Sequence, residues 1–373
     1  MRTKLFPALL YVLLACRMDA QVIQLPSSQL SLPEGNVVGA AFDHDLLFIQ
    51  QSILHADGPR VSSERQILSW DVSSNSALKT RTLEDNGPSS LTGDRCGRVQ
   101  VDTDLHRVFI CSSDTALAVL DPVTLLTIAL VPIKGHIYDF VVDDSLHRLF
   151  VVSQSDSNVQ HLYVYNISDG KQVDQIELSS GYADDVRLAL DQRAHRIGIS
   201  ESHLNHSGYT TDLYGCHYND GLNCNQVAKT GQVSEIAVVG AELLAASGLL
   251  ADDKQVCLTQ INLMNQTMSH PYCAPRTGVH YGVGVVGREY VVGYTGASKR
   301  LHFKEATVPL GSSVSVWRLE NSKIAAETAQ HNYDGSFQGG VRIASSKTQP
   351  RFLLFSTTSN VAYIYDIKES TGN

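Results

Sequence analysis

The chain is built on a short alternation that returns. Val99-Gln-Val-Asp102-Thr-Asp-Leu-His106-Arg107-Val-Phe-Ile, Val141-Val-Asp143-Asp-Ser-Leu-His147-Arg148-Leu-Phe-Val-Val and Leu188-Ala-Leu-Asp191-Gln-Arg-Ala-His195-Arg196-Ile-Gly-Ile each read as apolar strand, polar turn, apolar strand. The turn aspartates lie 41 and then 48 residues apart, a period expected of repeat units of roughly 40 to 50 residues. A third strand with alternating apolar positions follows, as at 116–120, 162–165 and 314–319, then in places a polar turn such as Ile167-Ser-Asp-Gly170 and a fourth strand such as 172–178.

Four antiparallel strands per repeat make a propeller blade. Weaker copies occur at 40–50 before 67–72, 236–246 before 255–263, 283–294 before 314–319, and 341–356 before 361–367. The expectation is therefore an all-β fold, a seven-bladed β-propeller occupying residues 21–369 as one domain, with 370–373 as a tail. The last repeat holds only three strands, which leaves an edge open to mispairing. The otherwise unassigned segment 22–25 (Val-Ile-Gln-Leu) is expected to supply the fourth, so that an N-terminal strand joins the last blade and closes the ring.

The repeat resembles that of the YVTN family of extracytoplasmic propellers, most clearly from Asp143 to Ile176 and next from Asp102 to Val131, fading after Cys224. It differs in having Leu-His-Arg where the family has Gly-Arg, and in insertions in blades one, four and six. The resemblance implies a propeller fold and a place outside the cytoplasm. The two tryptophans, Trp70 and Trp317, do not recur with Asp in each blade, so the WD-repeat signature is missing.

Residues 1–20 have the layout of a secretory signal peptide: Arg2 and Lys4, an apolar run over 6–15, and a short polar stretch ending at Ala20. Ten apolar residues are too few to cross a bilayer as a mature helix. Two processing sites compete. Leu13-Leu14-Ala15-Cys16 resembles a lipobox, which would make Cys16 a lipidated first residue; cleavage after Ala20 would release the protein. The expected location is periplasmic, membrane-tethered or extracellular, with any membrane contact made through that anchor.

An oxidising compartment changes how the six remaining cysteines are read. Cys96 with Cys111, Cys216 with Cys224 and Cys257 with Cys273 each straddle an expected turn, the second of them Asn219-Asp220-Gly221. Placing Val99 opposite Val108 also places Cys96 opposite Cys111. Three local disulfides are expected, in preference to free thiols or a zinc cluster, since Cys-x-x-Cys spacing is absent.

A net charge of −9 without a basic run argues against nucleic acid as a partner. Aligning the clear repeats places Arg98, Asp139 and Arg187 at one equivalent position, four residues before each turn aspartate, where a propeller's inner strand faces its channel. The loops leading into inner strands add His136, Tyr138, Tyr182, Asp184, Asp185, Glu235, His280, Tyr281 and Phe337, a set suited to a small polar ligand or a peptide. The bland account of the same residues is mutual neutralisation of Arg and Asp around a wet channel.

The repeated Asp-x-x-x-His-Arg unit is turn chemistry, because copies one blade apart do not converge on one atom. His203 and His206, in what reads as a long loop, are a weak metal pair without a third ligand. Asn166, Asn205 and Asn265 begin Asn-x-Ser/Thr acceptor patterns, relevant only in a eukaryotic host. Haem, nucleophile-elbow, His-Glu-x-x-His and phosphate-loop motifs are absent.

The sequence thus points to a monomeric, cofactor-free binding or interaction scaffold for a small polar ligand, peptide or protein. Its contact surfaces would be the channel mouth and the insertions 52–65, 203–212 and 297–312. The alternative is a lactonase-like hydrolase or lyase for a small polar or carbohydrate-derived substrate, drawing acid and base from Asp139, Asp184, Asp185, Glu235 and His280. It requires two of these within reach of one substrate.

Overall fold

The structure is a computed structural model that describes residues 22–57, 60–83, 96–206, 208–247, 255–275, 279–287, 289–296, 312–333 and 341–370. Seven four-stranded antiparallel sheets are arranged as blades around a ring, and no helix occurs among the described residues. Six blades are consecutive in the chain, from Asn36–Asp43 at the inside of blade one to Lys323–Tyr333 at the outside of blade six. Blade seven takes Val341–Ser345, Arg351–Ser356 and Ala362–Asp366 from the C-terminal end and Ser27–Gln29 from the N-terminal end.

The closing strand lies a few residues beyond the one expected. Val22–Gln24 pairs instead with Lys368–Ser370 in a separate two-stranded sheet, so Ser370, counted with the tail, is paired. The partners Val22 with Ser370, Gln24 with Lys368, Ser27 with Tyr365 and Gln29 with Tyr363 share one antiparallel register. The two short strands are one ribbon interrupted at Pro26, which has no N–H to give to the ladder. Its carbonyl still accepts from the Asp366 amide at 3.2 Å.

Packing explains the hydrophobic pattern. A blade between two others is covered on both faces, so a middle strand reads as a continuous apolar run. In Arg148–Gln154, Leu149 and Val151 join the cluster shared with blade two, while Phe150 and Val152 join the one shared with blade four. Seven such clusters fill the seven interfaces. Outermost strands lose this cover, and in Thr127–Pro132 only Val131 is buried.

The turns of the Asp-x-x-x-His-Arg repeats show why that motif recurs. One carboxylate oxygen caps its own turn: Asp102 Oδ1 accepts from the amides of Asp104 and Leu105 at 3.1 and 2.9 Å, and Asp143 and Asp191 do the same. The other oxygen reaches the next blade. Asp43 meets His106 Nδ1 at 3.4 Å, Asp102 meets His147 Nδ1 at 3.1 Å, Asp143 accepts from the Tyr218 hydroxyl at 2.6 Å, and Asp191 accepts from the Gly240 amide at 2.7 Å. All four carboxylates are buried. Each is therefore a staple between consecutive blades, and Asp102, Asp143 and Asp191 are caps as well.

His106, His147 and His195 sit at φ of 51°, 50° and 50°, a left-handed conformation that glycine adopts freely. For His106 and His147 the strain is offset by the contact with the preceding blade's aspartate.

Cys96 is bonded to Cys111 with Cα atoms 6.1 Å apart, and Cys216 to Cys224 at 4.0 Å. The second pair is directly opposed, as expected. In the first hairpin Val99 faces Ile110, not Val108, because Asp102 pairs with Arg107 across a four-residue turn. Cys96 consequently precedes the strand and reaches Cys111 from the approach loop. Cys257 is disulfide-bonded and lies opposite Cys273 in the ladder, although the Cys273 side chain is outside the described residues.

The insertions in blades one and four are not loops. They lengthen the middle hairpins, to Leu46–Asp57 with Arg60–Asp71 and to Arg196–Asn205 with Gly208–His217. His203 lies in a strand, its Nδ1 3.0 Å from the Tyr182 carbonyl, and among the described residues no group of three metal-ligating side chains forms. The insertion at 297–311 lies outside the described residues.

Replacing Asp102 with Ala removes two cap bonds and one staple, and is expected to lower unfolding free energy by about 3 kcal/mol; urea denaturation measures it, and a loss within error of zero would refute the staple. In protein lacking residues 22–29, amide exchange should accelerate across Ala362–Asp366 while Arg148–Gln154 keeps its protection. Unchanged exchange in blade seven would show that the seam does not depend on this ribbon.

Candidate functional site

Inner strands converge on the channel, and one position of the repeat faces it in every blade. Counting four residues back from the first turn residue gives Gly39, Arg98, Asp139, Arg187, Glu235, Gly282 and Arg342. In blades one, three, five and six the ladder slips by one residue just before this position. Such bulges re-aim the side chain that follows. At Gly39 there is no room for one, since a Cβ would lie 2.9 Å from the Gly97 carbonyl of blade two.

The five charged members, with Asp185, form a polar ring. Arg98 is its hub: Nε is 2.6 Å from Asp139, and a terminal nitrogen lies 3.4 Å from Glu235 and 3.0 Å from the Leu188 carbonyl. Asp139 is fully buried and its second oxygen accepts from the Leu188 amide at 2.7 Å, tying blade three to blade four. Arg187 pairs with Asp185 at 3.0 Å. Burial pushes the Asp185 carboxyl up despite the neighbouring Arg187 and Arg342. Arg98 and Arg187 are also desolvated, yet their acidic neighbours hold both above the usual guanidinium value.

Arg342 differs. It donates to the carbonyls of Gly97 and Val38, at 3.1 and 3.5 Å, and no carboxylate lies within 4.0 Å of it among the described residues. Desolvation, with Arg187 and Arg98 close by, pushes it down to about 10.

Two cavities of about 260 and 130 Å³ adjoin the ring, both lined by Arg98, Glu235 and Lys347. They extend toward the capped turns. There Lys347, from the turn of blade seven, reaches past blade one to the Val101 and Val142 carbonyls at 3.1 and 3.4 Å and to Asp144 at 2.6 Å. Asp144 also accepts from the Thr103 hydroxyl at 2.8 Å. Burial, the largest influence on it, raises the Asp144 carboxyl against the pull of Lys347. This mouth is bridged by a polar strap.

The approach-loop residues scatter. Tyr138 is buried between blades three and four, its hydroxyl 2.8 Å from Gln154 and 2.9 Å from the Ala183 carbonyl. His136 and Tyr182 are exposed, and Asp184 accepts from the Leu204 amide. The side chains of His280 and Tyr281, and all of Phe337, lie outside the described residues. The ring thus gathers Arg98, Asp139, Asp185, Arg187 and Glu235, while Tyr138 and Asp184 serve packing and capping.

Arg342 and Lys347 were not singled out from sequence. The signal was Ser346, whose hydroxyl caps the amides of Thr348 and Gln349 at 3.3 and 3.1 Å as the aspartates do elsewhere. Reading it as the turn residue puts Arg342 in the ring.

No family model matches this chain, and no curated protein does. Among solved structures it is similar to the β-propeller domain of Cps50 (Swd1) from Myceliophteria thermophila, with a TM-score of 0.56 and 10% identity over 92% of this chain and 100% of that one. That likeness concerns the fold alone.

Removing Arg98 strands the buried Asp139. Arg98→Met is expected to cost about 3–5 kcal/mol in urea unfolding, with Arg98→Met/Asp139→Asn recovering part of the loss. Additive losses would mean that the pair is not coupled.

Proposed function

We propose that this chain is an exported binding propeller that takes a small polar ligand into its central channel. One observation carries the reading: charged side chains at a single repeat position, Arg98, Glu235 and Arg342 of blades two, five and seven, line cavities of about 260 and 130 Å³, Arg98 and Glu235 lining both and Arg342 the smaller, while Asp139 of blade three pairs with Arg98 beside them. These lie below the range of about 300–1,000 Å³ typical of drug-sized ligands, which favours a small one. Most of the ring is already ion-paired, so it is preorganised and needs little rearrangement to receive a guest.

Export is supported by the disulfides, by the signal-like residues 1–20 and by the resemblance to YVTN propellers. The lengthened hairpins of blades one and four, with Leu54 and Leu204 exposed near their tips, offer a second surface for a larger partner.

The hydrolase or lyase reading draws less support. Asp139 and Glu235 converge, but both do so on Arg98, and Asp184 is turned to a backbone amide. A general acid and base need a free proton-transfer path to substrate.

Native mass spectrometry of the protein from its exported fraction tests the binding reading. The expected result is a small-molecule adduct whose occupancy changes in Glu235→Gln; no adduct in either protein, or one indifferent to the substitution, overturns it.

A further inference from the structure

The smaller cavity has a lopsided lining. Its charged residues are Arg98, Arg342 and Lys347 against Glu235 alone. Asp139 and Asp144, which pair with Arg98 and Lys347, lie outside that lining and are held by the Leu188 amide and the Thr103 hydroxyl. Among the described residues Arg342 has no carboxylate within 4.0 Å, and one of its terminal nitrogens alone is engaged, by two carbonyls. A guanidinium has five N–H donors in a planar fork. Several of these donors therefore remain for a guest, on a side chain that is largely desolvated.

Resting on the channel-binding reading, we propose that the 130 Å³ cavity is a site for a small free oxyanion, a phosphate or a short carboxylate, received by the Arg342 fork and flanked by Arg98 and Lys347. The planar fork matches two oxygens of such a group, which a point-charge ammonium does not. An anion here supplies the direct ion pair that Arg342 lacks among the described residues, on a guanidinium whose hold on its proton is lowered first by burial and then by Arg187 and Arg98. The cavity size limits the guest to a few non-hydrogen atoms. Small and apolar lining from Gly39, Ala40 and Phe42 excludes the bulk of a nucleotide or a peptide.

The test is the thermal midpoint of the full chain titrated separately with sodium phosphate and sodium acetate, with ionic strength held by chloride. The expected result is a saturable rise with at least one of the two, weakened roughly tenfold or more in Arg342→Gln. It should be unaltered in Lys171→Gln, a distant exposed control. Should Arg342→Gln fail to fold, Arg342→Lys keeps the charge and loses the fork, and a several-fold weaker dependence is expected. No rise in the parent protein, or an equal rise in the Arg342 variant, overturns the inference. An adduct in native mass spectrometry that is cationic or neutral would leave the channel reading standing and remove this one.

Discussion

The buried carboxylate at the inner turn is the interaction on which the rest depends. Burying a charge is costly unless it is hydrogen-bonded. Asp43, Asp102, Asp143 and Asp191 are each held by a group of the blade that follows, and the last three also cap their own turns. The same atoms therefore set the turn geometry within a blade and the pitch between blades. Hydrophobic clusters supply most of the cohesion, but they are non-directional; the carboxylates fix the angle at which one wedge meets the next. Once the pitch is fixed, the position four residues earlier is carried round the axis with it, which is how unlike residues from five blades arrive in one ring.

Much of this was legible because a repeat fold writes its rules several times. The Asp-to-Asp period, the apolar runs of the middle strands and the turn role of the Asp-x-x-x-His-Arg unit all follow from residues present in three clear copies. Arg98, Asp139 and Arg187 could be aligned for the same reason. Arg342 does not align in this way, because Ser346 replaces the marker aspartate, and Glu235 reads as a loop residue because Val239 stands where the aspartate would be. The inter-blade half of each staple is hidden as well: it joins residues 45 to 75 positions apart, as for Asp102 with His147 and Asp143 with Tyr218, and no local pattern records which neighbour a second oxygen will find.

The misplaced seam has a similar cause. Residues 22–25 look more strand-like than Ser27–Gln29, and local propensity favours them. Register decided otherwise, since the last blade's outer position is opposite Tyr363–Tyr365 and only the polar segment reaches it. Edge positions of a blade tolerate polar strands, having one face open to water. The apolar Ile23 is buried instead against Tyr290 and Ile367 in the cluster between blades six and seven.

That seam also governs when the molecule can become whole. Ser27–Gln29 waits for a partner more than three hundred residues later in the chain, so the ring stays open until Ala362–Asp366 has been made. Non-local pairing of this kind is slow to form and closes a long loop. A ring unable to shut early stays threadable until its last strands emerge, a property that suits the export proposed above.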